Sequence, residues 1–387
     1  MTLLVEFKQS HRYSFNMPIK GAFQLVMVPV SSAPATGLHY ILLLDVSGSM
    51  KGPKIEAVKK AARRLIEKLH GDNYVTLILF GTAYPFYKIV ASHEKLAEAR
   101  EKLLETIDGL VAQDGTPLYN ALREAIRIAE ASKEPGYIVL ITDGKPTDVT
   151  SVEKYAKLKW PKRYRGVFIG IGMDYNAELL NRLADLSGGV AVHVDEANLE
   201  ELVGAFEEAA AAEAAAKDVN IVVEAIAGNA RILGYEEPSV YIPAISDEAV
   251  ELIGEVDIPK NYDGDVAKII VTYLDPATGK RVSSEYSYHV KPARSREEFL
   301  SGIDRGVYNT YLYMVYMDEA RRLALEGKLD EATRRLEKAA EAASQTRRVD
   351  LIESTKRLVE EVSSTKRLSP DAATRRLASE ATKRLRG

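Results

Sequence analysis

Between residues 38 and 217 the sequence alternates between short, mostly apolar runs and amphipathic helical patterns. Apolar residues at consecutive positions are typical of strands in a parallel sheet that helices cover on both faces. Repeated alternation of such strands with helices predicts a doubly wound α/β domain, whose last helix we expect at residues 197–217. The runs that carry this prediction are ILLL (41–44), VTLILF (75–80), YIVLIT (137–142) and VFIGIG (167–172).

Segments with strand-like patterns lie on both sides of this domain. Residues 1–37 contain LLVEFKQ and AFQLVMVPV, and residues 218–293 contain VNIVVEAIAG and VAKIIVTYL. The short N-terminal segment cannot form a stable sheet alone. We therefore predict that the two segments pair in one β-sandwich, into which the α/β domain is inserted.

The remainder of the chain, residues 294–387, has a helical pattern. Ser295 and Glu298 form a capping-box signature at its start, and Gly327 is expected to separate two helices of a hairpin. The last helix has only a narrow apolar stripe. This stripe predicts either weak docking or a partner helix.

Three segments of the predicted α/β domain carry oxygen-bearing side chains to one edge of the sheet. DVSGS follows the first strand, TDG follows the strand at 136–142, and GTPL lies in a loop just before a helix. Ligands of doubly wound sheets bind beyond the carboxyl ends of the strands. The residues that we predict to form one site are Asp45, Ser47, Ser49, Thr116 and Asp143.

The predicted site offers two carboxylates and three hydroxyls, a set that suits a hard cation such as Mg²⁺. If hydroxyls contact the ion and the aspartates act partly through water, little negative charge touches the metal. The ion can then recruit a carboxylate from another molecule to complete its coordination shell. The sequence therefore predicts a site that binds acidic residues of partner proteins.

Each of these residues also has a local structural explanation. Ser47 and Ser49 could cap the next helix, Thr116 could cap the helix that follows it, and Asp143 could be a turn former. These explanations account for the residues singly, but they do not explain why all of them lie at one edge of the sheet.

The order and spacing of DVSGS, Thr116 in GTPL and Asp143 in TDG resemble the metal-ion-dependent adhesion site of von Willebrand factor type A (vWA) domains. The resemblance covers residues 38–217. It implies a Rossmann-like vWA domain in which this set of residues holds Mg²⁺ or Mn²⁺. It also implies a protein ligand that supplies an Asp or Glu carboxylate, and a prokaryotic assembly in which an AAA+ ATPase is a candidate partner.

Three neighbours of the predicted site are expected to flank the ion and to tune the choice of ligand. They are Asp114, Tyr119 and Lys145. For each of them, an ordinary role in a surface loop is the simpler explanation.

A metal-dependent phosphoester hydrolase is an alternative function for the same residues. Phosphatases with an aspartate nucleophile at a strand end need a second Asp two residues on, and this position is Ser47 in the present sequence. The six histidines lack the spacing of a zinc centre, and the chain has no phosphate-binding GxxxxGK[ST] loop. We therefore predict a binding module and not an enzyme.

A second alternative concerns the basic C-terminal tail. Residues 346–387 contain 11 Lys and Arg against 6 Asp and Glu, although the whole chain has a formal net charge of −4. Such a tail can bind nucleic acid, an acidic surface or its own body, and solvated helix faces are the simplest explanation. The tail has no aromatic residues, which argues against binding of single-stranded nucleic acid by stacking.

The composition bounds the remaining possibilities. The chain has no cysteine, which excludes disulfides and thiolate metal sites. No apolar run approaches the roughly 20 residues of a membrane-spanning helix, and the N-terminus lacks a signal-peptide pattern. We expect a cytoplasmic protein, and its many Glu, Lys, Arg and Tyr residues without Cys are typical of a thermophile.

Overall fold

The computed structural model of the chain describes residues 2–81, 87–113, 115–204 and 213–386. The chain divides into two compact units. The central unit comprises Ser32–Asp218 and Tyr241–Asp247. The flanking unit comprises Met1–Ser31, Val219–Val240 and Glu248–Gly387. The sequence-based division at residues 37, 217 and 293 stays a prediction.

Strands occur between Leu3 and Pro292, and helices occur between Pro53 and Arg386. The strands are β1 (Leu3–Gln9), β2 (Tyr13–Ser14), β3 (Ile19–Pro29), β4 (Ala33–Pro34), β5 (His39–Asp45), β6 (Tyr74–Phe80), β7 (Tyr87–Lys95), β8 (Gly136–Thr142), β9 (Tyr164–Ile171), β10 (Val190–Val194), β11 (Glu213–Ala214), β12 (Ala216–Ala225), β13 (Ala230–Ile232), β14 (Ser239–Ile245), β15 (Val250–Ile258), β16 (Gly264–Leu274) and β17 (Arg281–Pro292). The helices are α1 (Pro53–Lys68), α2 (Leu96–Asp108), α3 (Leu118–Ala131), α4 (Val152–Ala156), α5 (Ala177–Ser187), α6 (Arg296–Ser301), α7 (Arg305–Leu325), α8 (Leu329–Thr346), α9 (Val349–Leu368) and α10 (Pro370–Arg386). Short 3₁₀ turns span Gly48–Met50 and Glu196–Asn198.

The central unit is built on a six-stranded sheet with the order β10-β9-β8-β5-β6-β7. Its strands run parallel except for β7, which pairs with β6 in the antiparallel sense. The predicted doubly wound α/β fold is therefore confirmed, with a mixed sheet. The chain order reverses between β5 and β8, so their carboxyl ends flank the point where such sheets bind ligands.

The strand β5 shows why this sheet is covered on both faces. All seven of its residues are buried. Leu42 and Leu44 belong to the core that includes α1 and α2, whereas Ile41 and Leu43 belong to the core that includes α3 and α5. Successive side chains of a strand point to opposite faces, so a run of consecutive apolar residues requires helices on both sides of the sheet.

The helix predicted at residues 197–217 is wrong at its end. Glu213–Ala214 form β11, which pairs with β4, and β12 begins at Ala216. Alanine-rich sequence favours a helix, but Ala214–Ala216 are fully buried and Ala215 N–H donates to the Ile245 carbonyl at 2.7 Å. Tertiary pairing of these small residues outweighs their helix propensity. The start also differs, because Glu196–Asn198 form a 3₁₀ turn and 199–200 lie in a turn. Of the rest, 201–204 are helical and 205–212 lie outside the described residues.

The N-terminal strands pair with strands from beyond the central unit, as the sequence predicted. In the flanking unit β3 pairs with β15 over Ile19–Met27 in the antiparallel sense, and β2 pairs with β17. One sheet has the order β1-β3-β15-β13 and another the order β14-β12-β16-β17-β2. Packing of these sheets face to face as a sandwich stays a prediction.

The C-terminal region is helical, as predicted. The Ser295 hydroxyl accepts a hydrogen bond from Glu298 N–H at 3.2 Å, and Gly327 separates α7 from α8 with a φ of 78°. The last helix, α10, is well docked: its narrow stripe of Ala373, Leu377, Ala381 and Leu385 is buried in the core of the flanking unit. Within the described residues, none of the helices is both long and apolar enough to span a membrane.

Several cations of the basic tail are paired with acidic residues of the same unit. Arg348 contacts Glu251 and Asp350, Lys366 contacts Asp330, and Arg376 contacts Glu361. Arg386 is buried and donates to the Gly234 carbonyl at 2.6 Å. This part of the tail's charge is therefore used to fold the helical region onto its own unit.

A histidine is fully buried at the start of β5. Nδ1 of His39 lies 2.7 Å from the Tyr164 hydroxyl, and Nε2 lies 2.8 Å from Thr76 Oγ1. Burial, and next the charge of His93, lower the pKa of His39 to about 3. Its neutral form is therefore strongly favoured in the folded protein, whereas the unfolded chain takes up a proton near pH 6.5.

This histidine makes the central unit sensitive to acid. Below about pH 6.5 the unfolded chain binds the proton that folded His39 excludes, so the free energy of unfolding falls as the pH is lowered towards 3. One pKa unit corresponds to about 1.4 kcal/mol, so the loss by about pH 5 is about 2 kcal/mol. His39→Gln removes this dependence, as measured by urea unfolding at about pH 7 and about pH 5. The exposed His70→Gln is the matched control, and equal pH slopes for His39→Gln and wild type would contradict the assignment.

Candidate metal centre

The candidate site lies at the carboxyl ends of β5 and β8, where the strand order of the central sheet reverses. Asp45 is the last residue of β5, and Asp143 directly follows β8. The loop after β5 is held against β6, because Val46 N–H donates to the Phe80 carbonyl at 2.7 Å. Gly81 permits this approach: its φ is +126°, and a Cβ there would lie 2.5 Å from Ser47 N.

Asp45 is a fully buried carboxylate whose two oxygens both accept hydrogen bonds. Oδ1 accepts from Ser47 N–H at 2.8 Å, and Oδ2 accepts from the Thr142 hydroxyl at 2.6 Å. Burial raises the pKa of Asp45 to about 6, against the lowering effect of these hydrogen bonds. The protein thus holds a carboxylate in a place that disfavours its charge, and a cation bound nearby would stabilise it.

The two serines link Asp45's loop to Asp143. Ser47 Oγ and Ser49 Oγ lie 3.0 Å apart, and the Ser49 hydroxyl donates to Asp143 Oδ1 at 2.6 Å. Adjacent oxygens of an octahedron with Mg–O bonds of about 2.1 Å are about 3.0 Å apart. The spacing of the serine hydroxyls therefore fits two neighbouring ligands of Mg²⁺.

Thr116 is brought to the same place by the loop before α3. Its N–H donates to Thr147 Oγ1 at 2.9 Å, and its carbonyl accepts from Thr147 N–H at 2.9 Å. A Cβ at Gly144 would lie 3.3 Å from Thr116 Oγ1 and 3.7 Å from Ser49 Oγ. The absent side chain of Gly144 thus leaves room where two of the predicted hydroxyl ligands meet.

The alternative roles as helix caps do not hold for the hydroxyl residues. Ser47 precedes the 3₁₀ turn without making a side-chain cap, and the N-cap of α1 is Gly52. The N-cap of α3 is Pro117, not Thr116. The start of α3 is instead capped by Asp148, whose carboxylate accepts from the N–H groups of Tyr119 and Asn120 at 3.2 and 2.9 Å.

The three predicted flanking residues differ in what the structure says of them. Asp114 lies outside the described residues. Tyr119 is half-buried at the start of α3, where its ring packs edge-on against Tyr155 and lies 5.8 Å below the Arg123 guanidinium. Lys145 is exposed in the loop after Asp143. Tyr119 is therefore anchored by its neighbours, whereas the side chain of Lys145 faces solvent, and a role of either residue at the ion stays a prediction.

Two residues that the sequence analysis missed contact the predicted carboxylates. Thr142 donates its hydroxyl hydrogen bond to Asp45. Lys54 Nζ lies 2.9 Å from Asp143 Oδ2 and 2.7 Å from Glu196 Oε1. Neither has a signal in the sequence, because threonine is common in strands and Lys54 is one of several lysines in the pattern of α1.

The donor set fits a hard cation better than a metal that prefers nitrogen or sulfur ligands. Among the residues that the structure describes, no group of three His, Cys, Asp or Glu side chains is placed to hold a metal. The candidate site instead joins two carboxylates to serine and threonine hydroxyls. Oxygen donors with few charges suit Mg²⁺ or Mn²⁺.

Comparison with known protein families identifies two parts of the chain. The sequence model of the von Willebrand factor type A domain matches residues 41–205, and that of the archaellum regulatory network B C-terminal domain matches residues 305–387. Among curated proteins, von Willebrand factor A domain-containing protein 5A from Rattus norvegicus is 28% identical over 174 residues, which is 42% of this chain and 21% of that protein. The chain thus spans about a fifth of the length of this relative. It contains a vWA domain and a C-terminal helical domain of the archaellum regulatory network B type.

Two solved structures match nearly the whole chain. The ArnB paralog VWA2 from Sulfolobus acidocaldarius is 27% identical with a TM-score of 0.80, and the match covers 98% of both chains. A von Willebrand factor type A protein from Catenulispora acidiphila is 18% identical with a TM-score of 0.69, and covers 98% of this chain and 96% of its own. The second likeness concerns the fold alone, whereas the first extends to the sequence along the full chain.

The burial of Asp45 leads to a prediction about stability without metal. Asp45→Asn removes a buried charge, while the amide can still accept from Ser47 N–H and donate to the Thr142 oxygen. In EDTA at neutral pH the variant is expected to be more stable than wild type, by about 1–3 kcal/mol, since each pKa unit corresponds to about 1.4 kcal/mol. Chemical unfolding of both proteins in EDTA measures this difference. A less stable Asp45→Asn protein would show that the carboxylate is a structural element that the fold needs without a cation.

Proposed function

We propose that the central unit binds Mg²⁺ or Mn²⁺, and through the ion a carboxylate of a partner protein. The residues that would hold the ion are Asp45, Ser47, Ser49, Thr116 and Asp143. The observation that carries the proposal is that the hydroxyls converge where the strand order reverses. Helix capping does not explain this convergence, because Ser47 makes no side-chain cap and other residues occupy the cap positions of α1 and α3. A bound ion would supply a positive charge with room for an outside ligand.

The protein's own groups limit how much negative charge reaches that position. Both oxygens of Asp45 already accept hydrogen bonds, and one oxygen of Asp143 is paired with Lys54. The serine and threonine hydroxyls are neutral donors. A site of this kind leaves a divalent cation incompletely neutralised, which favours capture of an anionic group from another molecule.

We further propose that the whole chain is an adaptor in a regulatory protein network. The vWA domain supplies the partner-binding site, and the C-terminal domain matches a family described as archaellum regulatory. The full-length similarity to the ArnB paralog VWA2 supports the same combination of domains. An AAA+ ATPase remains a candidate partner on the resemblance of the vWA domain alone.

The geometry gives less support to the two alternatives. A hydrolase that used Asp45 as a nucleophile would need an accessible carboxylate, but Asp45 is fully buried with both oxygens engaged. Nucleic-acid binding by the tail would need free cations, and three of its eleven Lys and Arg residues, Arg348, Lys366 and Arg376, are paired with carboxylates.

Metal-dependent capture is tested with the full chain and a labelled hexaglutamate peptide. Wild type is expected to bind the peptide in MgCl₂ and to release it in EDTA. MgCl₂ at about 100 times its dissociation constant should also stabilise wild type by about 2.7 kcal/mol. Thr116→Val keeps the shape of the side chain but removes one hydroxyl, and should weaken Mg²⁺ binding measured by calorimetry.

A matched variant and a matched peptide complete this experiment. Thr106→Val removes a hydroxyl of α2 that donates to the Lys102 carbonyl at 2.8 Å, and this variant should bind Mg²⁺ like wild type. A hexaglutamine peptide has no carboxylate side chains and should not bind. Peptide binding that is equal in MgCl₂ and EDTA would place the interaction outside the metal site and contradict the proposal.

A further inference from the structure

A lysine forms a bridge at the edge of the candidate metal site. Lys54 Nζ lies 2.9 Å from Asp143 Oδ2 and 2.7 Å from Glu196 Oε1, and only 14% of its side chain is exposed. The other oxygen of Asp143, Oδ1, accepts from the Ser49 hydroxyl. Lys54 therefore pairs with the oxygen of Asp143 that Ser49 does not use.

The position of Lys54 in its helix is electrostatically unfavourable. It is the second residue of α1, directly after Pro53. The first turn of a helix carries partial positive charge and favours acidic side chains over basic ones. A lysine held there, with most of its side chain buried, is explained by the carboxylates that it contacts.

The second carboxylate of the bridge, that of Glu196, occupies space that a glycine leaves open. Glu196 begins the 3₁₀ turn after β10, and a Cβ at Gly172 would lie 2.3 Å from Glu196 Oε1 and 2.9 Å from its Cγ. Gly172 has a φ of +69° and its N–H donates to the Val194 carbonyl at 2.9 Å. The ends of β9 and β10 thus leave space for the Glu196 side chain to lie against Gly172 and to contact Lys54.

We propose that Lys54 is a specificity-determining residue, which tunes the site to bind a partner carboxylate at the expense of affinity for the free metal ion. This inference rests on the proposed function. Asp45 and Asp143 bring two negative charges close to a divalent cation, and these charges weaken its attraction for an anionic ligand. The adjacent charge of Lys54 restores a net positive potential at the ion. Glu196 keeps the ammonium group in position through its ion pair, and its own carboxylate is half-exposed to solvent.

The sign of each effect follows from Coulomb's law. A fixed positive charge beside the site repels the metal ion but attracts an anionic ligand of the metal-loaded protein. Removing Lys54 should therefore strengthen binding of the ion alone and weaken binding of the carboxylate. Removing the charge of Glu196 should have both effects in reverse, and smaller, because water screens its exposed carboxylate.

The experiment measures two affinities in the full chain. Calorimetry gives the affinity for MgCl₂ without ligand, and fluorescence anisotropy gives the affinity of labelled hexaglutamate at saturating MgCl₂. For Lys54→Met we expect Mg²⁺ affinity to rise about tenfold and peptide affinity to fall about tenfold. For Glu196→Gln we expect both to move by a few-fold in the opposite directions. Lys59→Met, which removes a lysine of the same helix that pairs with Glu56, should change neither.

The outcomes separate this inference from the proposed function. If wild type binds neither MgCl₂ nor the peptide, both are overturned. If wild type binds both and Lys54→Met behaves like wild type, only the role of Lys54 is overturned. If both affinities fall in Lys54→Met, Lys54 merely positions Asp143. Glu196→Gln keeps the test decisive should Lys54→Met fold poorly, since an unchanged or parallel pair of affinities in that variant contradicts the charge mechanism.

Discussion

The two hydrogen bonds to the buried carboxylate of Asp45 are the interaction on which the candidate site depends. Ser47 N–H shapes the loop after β5, and the Thr142 hydroxyl ties that loop to the end of β8. Together they hold the loop after β5 against β8, where the order of the sheet reverses. The cost is a carboxylate held where burial raises its pKa to about 6. A positive charge beside Asp45 would offset this cost, which agrees with the cation that we propose for the converging hydroxyls.

Around that carboxylate the structural and binding tasks fall to different residues. Asp148 caps α3 and Gly52 is the N-cap residue of α1. Ser47, Ser49 and Thr116 are therefore not needed to cap these helices. Glycines permit the close approach of the loops. The hydroxyls can then serve as neutral ligands. Neutral ligands leave a divalent cation with a net positive charge that attracts an anionic group of a partner. In this account binding of a partner follows from how weakly the protein itself neutralises the ion.

The central fold could be predicted from the sequence because its inner strands contain runs of consecutive apolar residues, a pattern that a doubly covered sheet satisfies. The five proposed ligands could also be identified from the sequence, because DVSGS, GTPL and TDG occur in a recognisable order and spacing. The end of the helix predicted at 197–217 could not be corrected from sequence, because alanine favours a helix and only the distant partners of Ala214–Ala216 reveal a strand. Lys54 was missed for the same reason: its partner Asp143 is 89 positions away.

The most direct test of the central claim is anomalous diffraction at the manganese edge, from crystals of the full chain grown with MnCl₂. The account predicts one strong peak in the central unit, about 2.2 Å from Ser47 Oγ and Ser49 Oγ. Lys54 should remain paired with Asp143 in the same crystals. A peak at another position, or none at saturating MnCl₂, would contradict the account and leave the hydroxyl cluster as part of the fold alone.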